Sequence, residues 1–368
     1  MVNIGKISYL IIMFIVFTLI VFFLSFLNGT WIWFRFILFI FVVIALIIFS
    51  VILSILGPSK FKYRLEDWDD TTQYSKLDYD KEKWNVVIDC HSHTNHSDGK
   101  LTVEQSIKYH LSVGFNACVF TDHNSLKNLN EVMVMKEKYK DTFMVIPGLE
   151  YTTYRIHMCF LGITEWDCKN DIPNHPSDED IKKAIEKVHR MGGLVVVCHY
   201  PWSTWGINPR MPDHPTREQM YSWGVDLIEC ANWEDDISLI DYASYEFAKT
   251  RPNIGYCSGT DMHEPYKAPL SSWTLLNAEK FTEEAIMKEL KNHRTEVILK
   301  PEGLKYPIKH KSNIWFNFLR PLMIFGDKLQ DLYLGGKMTN LDVSGIISWF
   351  GYFFIVFIIF EVLLFVIG

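Results

Sequence analysis

Along the middle of the chain, imidazole and carboxylate side chains recur in one ordered series. It opens with Asp89, His91 and His93 and reaches Asp98 in Ser97-Asp98-Gly99. It passes through Asp122, His123, Glu150 and His157, then closes with His199, Asp261 and His263. Most of these residues sit at the ends of short apolar runs at 86–88, 117–120, 143–146, 194–197 and 254–257. Nitrogen and oxygen donors gathered at several strand ends describe a multinuclear metal site. Two cations about 3.5–4 Å apart can generate a hydroxide at neutral pH and neutralise the phosphoryl oxygens it attacks. A bridging carboxylate suits that spacing because it has two oxygens, and Glu150 is the residue placed for the role. Up to three ions fit the donor set, Mn, Fe or Zn in preference to Mg or an iron–sulfur cluster.

Positioning these groups requires strands that end together. Period-two alternation predicts Asp89, His91 and His93 on one face of the first strand, with Cys90 and Ser92 on the other. Helical spacing covers 103–113, with Gly114 as a stop, and then 126–139, 177–191, 218–223, 237–249 and 282–292. Strands alternating with helices predict parallel pairing, and about seven such units predict a (β/α) barrel. In such a barrel the carboxyl ends of different strands converge on one face, where ligands far apart in sequence share a site.

The residues 89–94 (Asp-Cys-His-Ser-His-Thr), Ser97-Asp98-Gly99, Thr121-Asp122-His123-Asn124, Gly148-Leu149-Glu150, His157, His199 and Thr260-Asp261-Met262-His263 together resemble the polymerase and histidinol phosphatase (PHP) superfamily. The resemblance covers residues 84–300 and implies an α/β fold, a distorted (β/α)7 barrel with a trinuclear centre for phosphate-ester hydrolysis. Carried over by motif, His91, His93, Glu150 and Asp261 would hold one metal. Glu150 would bridge to a second, completed by His157 and His199, and Asp98, His123 and His263 would hold the third. Glu150, Asp261 and His199 are then the catalytic candidates. Arg155, between two ligands in the loop after a strand, is a candidate for pairing with substrate phosphate. Asp89 and Asp122 are expected to orient imidazoles from behind. His110 and His189 are expected as surface or packing residues, and His96 and His214 as loop and turn residues.

Apolar stretches at 7–27, 36–56 and 346–367 each approach the ~20 residues needed to cross a hydrocarbon core. The expected organisation is a transmembrane hairpin over 1–58 turning at Asn28-Gly29-Thr30 and a linker over 59–83. The barrel follows over 84–305, then a juxtamembrane segment over 306–345 with interfacial character, and a final transmembrane helix over 346–368. Lys6, Lys60, Lys62, Arg64, Lys328 and Lys337 flank the spans on one side, and Arg35 stands on the other. That bias predicts a multi-pass membrane protein with a cytoplasmic barrel.

Seven cysteines without a CxxC pair read as reduced thiols, with Cys90, Cys198 and Cys257 buried. A formal charge of −7 offers no basic surface, which excludes duplex DNA as a partner. The expected substrate is a phosphate ester of a small molecule, a nucleotide, a short RNA end or a lipid-linked phosphate, with membrane lipid as the other partner. Two rivals stand beside this reading. One is an amidohydrolase-type hydrolase of C–N or C–O bonds; the other is a non-catalytic membrane scaffold or sensor retaining the fold.

Overall fold

Every side chain of the run 86–92 is buried, the pattern of a strand covered on both faces. A computed structural model describes residues 32–69, 77–204, 211, 213–232, 239–265, 270–304, 314–330 and 343–367. The chain forms two compact units, one from residues 63–310 and one from residues 1–62 and 311–368.

In the first unit β1 (Val86–Ser92), β2 (Ala117–Phe120) and β3 (Met144–Thr152) pair in parallel. β4 (His157–Leu161) turns back and lies antiparallel between β3 and β5 (Leu194–Val197). β5 pairs in parallel with β6 (Leu227–Asn232), whose end carries the short antiparallel β7 (Leu239–Ile240). β8 (Gly255–Ser258) pairs in parallel with β6. β9 (Leu270–Leu276) and β10 (Thr295–Leu304) form an antiparallel pair, and β9 joins β1. Beyond β8, a bridge of Met262 to Ser92 and a bond from Asp261 N–H to the His91 carbonyl at 2.8 Å bring the sheet back to β1. The result is a nearly closed α/β barrel. It is not a run of parallel strand–helix units, because only Thr153–Ile156 separate β3 from β4. A parallel crossover needs about a dozen residues or more.

The alternation predicted for β1 also fails locally. Val86, Ile88 and Cys90 face the barrel interior with Ala117, Val119, Cys159, Val196, Cys198 and Cys257. Val87 faces the outer layer, and so does Asp89. A register irregularity between Asp89 and Ser92 breaks the period, so His91 does not share the face of Asp89.

The first helix, α1 (Ile32–Gly57), belongs to the second unit. The barrel carries α2 (Val103–Val113), α3 (Leu129–Tyr139), α4 (Asp178–Arg190), the short α5 (Tyr200–Thr204) and α6 (Arg217–Ser222), α7 (Tyr242–Lys249) and α8 (Glu283–Lys291). Their starts follow from capping chemistry. Thr102, Ser177 and Thr216 each accept a bond from the backbone N–H three residues on, and a side chain there reaches back. α2 stops at Gly114, whose φ of +117° only glycine adopts freely.

In the second unit α1 is joined by α9 (Ile314–Gln330) and α10 (Val343–Ile367). Two stretches, Ile32–Lys60 and Ile346–Leu363, are long and apolar enough to cross a membrane. Arg35 on α1 and Glu361 on α10 form a two-point ion pair at 2.9 and 2.7 Å, beside Phe357 against Phe36 and Phe39. α9 lies against α1 where Gly326 meets the Ser50 carbonyl so closely that a Cβ would stand 2.0 Å from it. The predicted span at 7–27 and its turn at 28–30 lie outside the described residues.

Candidate metal centre

All nine sequence-predicted ligands come together at one end of the barrel, and their ligand atoms fall into three groups. In the first, His93 Nε2 lies 2.9 Å from Asp261 Oδ1, 3.1 Å from His91 Nε2 and 3.5 Å from Glu150 Oε2. In the second, His157 Nδ1 and His199 Nε2 stand 2.9 and 3.5 Å from Glu150 Oε1 and 3.3 Å from each other. In the third, Asp98 Oδ2 is 3.0 Å from His263 Nε2 and 3.6 Å from His123 Nε2, and the two nitrogens are 3.4 Å apart. Bonds of about 2.1 Å from one ion place neighbouring ligand atoms roughly 3.0–3.4 Å apart. The three groups have the edges of coordination polyhedra.

Local chain geometry explains the convergence. His91 and His93 leave the carboxyl end of β1, and Glu150 lies near that of β3. His157 begins β4. Because β4 is antiparallel, its start lies at the end where its neighbours finish, which is how a strand-opening histidine joins strand-closing ones. His199 and Asp261 both have left-handed backbones, φ +27° and +49°, uncommon for residues with a Cβ and typical of constrained sites. Gly259 must lack a side chain, since a Cβ there would sit 2.1 Å from Glu229 Oε1 and 2.4 Å from His91 Cβ.

The fit to cations rests on atoms left without partners. Both Glu150 oxygens, Asp261 Oδ1 and His93 Nδ1 are buried with no hydrogen bond of acceptable geometry, although nitrogens crowd within 4 Å. Without metal, protons take the place of cations. Burial works against charge on Glu150, but His123, His157 and His91 hold its carboxyl well below the usual range. Asp261 is likewise held low against burial, by His91 first and His93 next. Burial would lower His199, yet the neighbouring Glu150 carboxylate and the charge of Asp261 raise it to about 9. Burial dominates at His157 and lowers it to about 4. His91, His93 and Glu150 are fully buried, whereas Asp98, His123 and His263 side chains are 19%, 13% and 21% exposed, so the centre opens to solvent at the third group.

Sequence reasoning missed Glu229. Its Oε1 accepts from His91 Nδ1 at 2.9 Å, which turns His91 Nε2 toward the cluster, and its Oε2 accepts from His199 N–H at 2.7 Å. Asn232 Nδ2 donates to the same carboxylate at 3.0 Å. The available signal was a lone acid inside the apolar run 227–231. Asp89 and Asp122 bond to no cluster imidazole. Asp122 accepts from Thr94, Ser97 and Asn128 and so ties the loop after β1 to the loop after β2. Asp89 faces α2, where His110 is fully buried against it. His189 is a surface residue paired with Asp226, and His96 is a loop residue paired with Glu131. Cys90, Cys198 and Cys257 are buried free thiols.

Arg155 is not brought into the cluster. Its guanidinium donates to the Asp213 carbonyl at 2.9 Å, the Pro176 carbonyl at 3.1 Å and Asp178 Oδ1 at 2.5 Å. With those bonds it lines a surface cavity of about 570 Å³ beside His175, Asp178, His214 and Gln219.

No family model matches the chain, and no curated protein sequence does. Among solved structures it is similar to a two-domain protein from Bacteroides vulgatus containing a predicted PHP-like metal-dependent phosphoesterase. That likeness has 17% identity and a TM-score of 0.45, over 69% of this chain and 74% of the other. It is also similar to an amidohydrolase from Chromobacterium violaceum with bound sulfate and no metal. There the identity is 17% and the TM-score 0.37, over 58% of this chain and 98% of the other.

Proposed function

We propose that this chain is a metal-dependent hydrolase that cleaves a phosphate ester. The observation that carries the reading is the place of Glu150 among all three groups. Its Oε1 faces His157 and His199, while its Oε2 faces His91 and His93 and lies nearest, at 2.6 Å, to His123 Nδ1. When bound, divalent ions supply a hydroxide at neutral pH and neutralise phosphoryl oxygens. The residues' own work is to hold that charge in fixed geometry. Glu150 and Asp261 provide the anionic oxygens, Glu229 fixes the His91 tautomer, and full burial of the first group keeps bulk water away. Substrate enters past Asp98, His123 and His263, the exposed corner.

The full chain in detergent, supplied with Mn, Fe or Zn, should hydrolyse members of a panel of phosphate esters. Turnover confined to amides or lactones would replace the reading with the amidohydrolase-type one. A chain that binds metal and hydrolyses nothing in the panel would leave the scaffold or sensor reading.

The same reading places the protein in a membrane through α1 and α10, with the barrel unit cytoplasmic. Supporting it are the apolar surfaces of both helices and Lys60, Lys62 and Arg64 directly after α1. A reporter replacing the barrel after Pro58 and one fused after Gly368 should report opposite sides; signals from the same side would overturn this topology.

A further inference from the structure

Behind the cluster lies a second buried acid–imidazole pair that contributes no ligand atom to the three groups. His110 on α2 faces Asp89 Oδ2 with Nε2 at 2.9 Å and the Ser106 carbonyl with Nδ1 at 2.7 Å. Each ring nitrogen thus has an oxygen partner, and the ring is held at both ends. Asp89 is occupied from its other side by Thr260. The Thr260 N–H reaches Oδ1 at 2.8 Å and its hydroxyl reaches Oδ2 at 2.5 Å, while the His91 N–H lies 3.2 Å from Oδ1. Asp89 and His110 are almost wholly inaccessible, and Thr260 is 3% exposed.

Thr260 is the residue before Asp261. Asp261 has a left-handed backbone, and its N–H is bonded to the His91 carbonyl at 2.8 Å. A non-glycine residue holds that conformation only where its surroundings over-determine it. The Asp89 carboxylate, gripped by His110 and gripping Thr260 at two atoms, is the surrounding that does so. An imidazole placed merely to fill space under α2 would not need a bond at each nitrogen.

We propose that His110 is a positioning residue for the metal centre, acting through Asp89 and Thr260 to hold Asp261 Oδ1 at its place beside His91 and His93. The proposal rests on the reading of those residues as metal ligands. It predicts that metal affinity depends on a helix residue that touches no ligand atom.

The test uses the full chain in detergent with three substitutions, Thr260→Val, Thr260→Ser and His110→Leu. Two quantities are measured: Co²⁺ affinity by calorimetry, and hydrogen exchange at residues 259–263 in the metal-free protein. Thr260→Val keeps the side-chain shape and removes the hydroxyl. It should weaken Co²⁺ binding by about tenfold to a hundredfold, as loss of a supporting contact does, and speed exchange at the Asp261 amide at least tenfold. Thr260→Ser should restore both. His110→Leu should match Thr260→Val, and a folded His110→Leu protein with wild-type exchange and Co²⁺ affinity within twofold overturns the role of His110; if His110→Leu does not fold, His110→Gln is measured in its place. A folded Thr260→Val protein with wild-type exchange and Co²⁺ affinity within twofold overturns the proposal. If the wild type takes up no Co²⁺, the metal reading fails separately, and unchanged exchange in Thr260→Val then overturns the brace by itself.

Discussion

Two sides of the metal centre are supported differently. On one side the far nitrogens of two rings are engaged, His91 Nδ1 by Glu229 and His263 Nδ1 by the Asp261 carbonyl at 2.8 Å, while His123 Nδ1 meets both Thr152 Oγ1 and Glu150 Oε2 at 2.6 Å. His93 lacks such a bond but is stacked between His123 and His263, with ring centroids 4.4 and 4.2 Å away. On the other side His157 Nε2 and His199 Nδ1 are buried and have no hydrogen-bond partner among the described residues. Those two rings are placed by backbone instead, His157 by the β4 ladder and His199 by its left-handed turn and its N–H bond to Glu229. Backbone placement fixes where a ring starts; a bond to the far nitrogen fixes which nitrogen is free to bind. The position between Glu150, His157 and His199 is therefore the weaker one.

The largest effect should come from the residue common to both sides. Glu150→Gln removes one anionic oxygen from each pair of groups and should lower kcat on a phosphate ester by more than about a thousandfold while the fold persists; steady-state kinetics with circular dichroism check this. Retention of most activity would mean the two sides do not share a ligand. Chelator titration of the metal-loaded chain should next remove ions in two steps, the His157–His199 ion first. Glu229→Ala removes both the acceptor for His91 Nδ1 and the partner of the His199 N–H, and should lower affinity on both sides by about tenfold to a hundredfold. A wild-type titration in one step would erase the distinction.

Acidity sharpens the contrast. With His199 raised to about 9, the metal-free chain carries that proton through neutral pH, and binding must displace it; His157, at about 4, has none to lose. Affinity at this position should rise about tenfold per pH unit up to about 9 and level off above it. Calorimetry in buffers of different ionisation enthalpy should count one proton released. For the metal-free fold the signs oppose. His199 stabilises it fully below 6.5 and loses that contribution as pH rises through about 9. Neutral burial of His157 favours the fold above 6.5 and loses that contribution as pH falls toward 4. The smallest effect is expected at Arg155, already committed to Asp178 and two carbonyls: Arg155→Ala should change kcat/KM by less than about threefold. A tenfold or larger loss would return it to the substrate's path.

The ligand series was legible because most of its members follow an apolar run or stand in a short motif, His157 being the exception. The helices were legible for a similar reason, since capping residues such as Thr102, Ser177 and Thr282 announce themselves. What escaped was tertiary. The turn Thr153–Ile156 holds no glycine or proline to mark a hairpin, so β4 was not expected; β6, β9 and β10 were missed as strands, and β7 lies within the helix expected over 237–249. Alternation cannot foresee the irregularity that turns His91 away from the face of Asp89. Its partner His110, spaced as a helix residue, gave no sign of burial. Glu229 stands in a strand whose neighbours are all apolar, and only its charge there was a clue.

The β3–β4 hairpin also sets an order of assembly. Glu150 and His157 are joined by a tight local turn, whereas Asp89 and Thr260, which must meet before Asp261 is in place, are 171 residues apart. Closing a short loop costs less chain entropy than closing a long one, and contacts of low sequence separation form sooner. During folding the weaker metal position is thus the first to have its ligands side by side, and the stronger one waits for the barrel to close. A cation captured early would then sit between Glu150, His157 and His199 before His91, His93 and Asp261 have met.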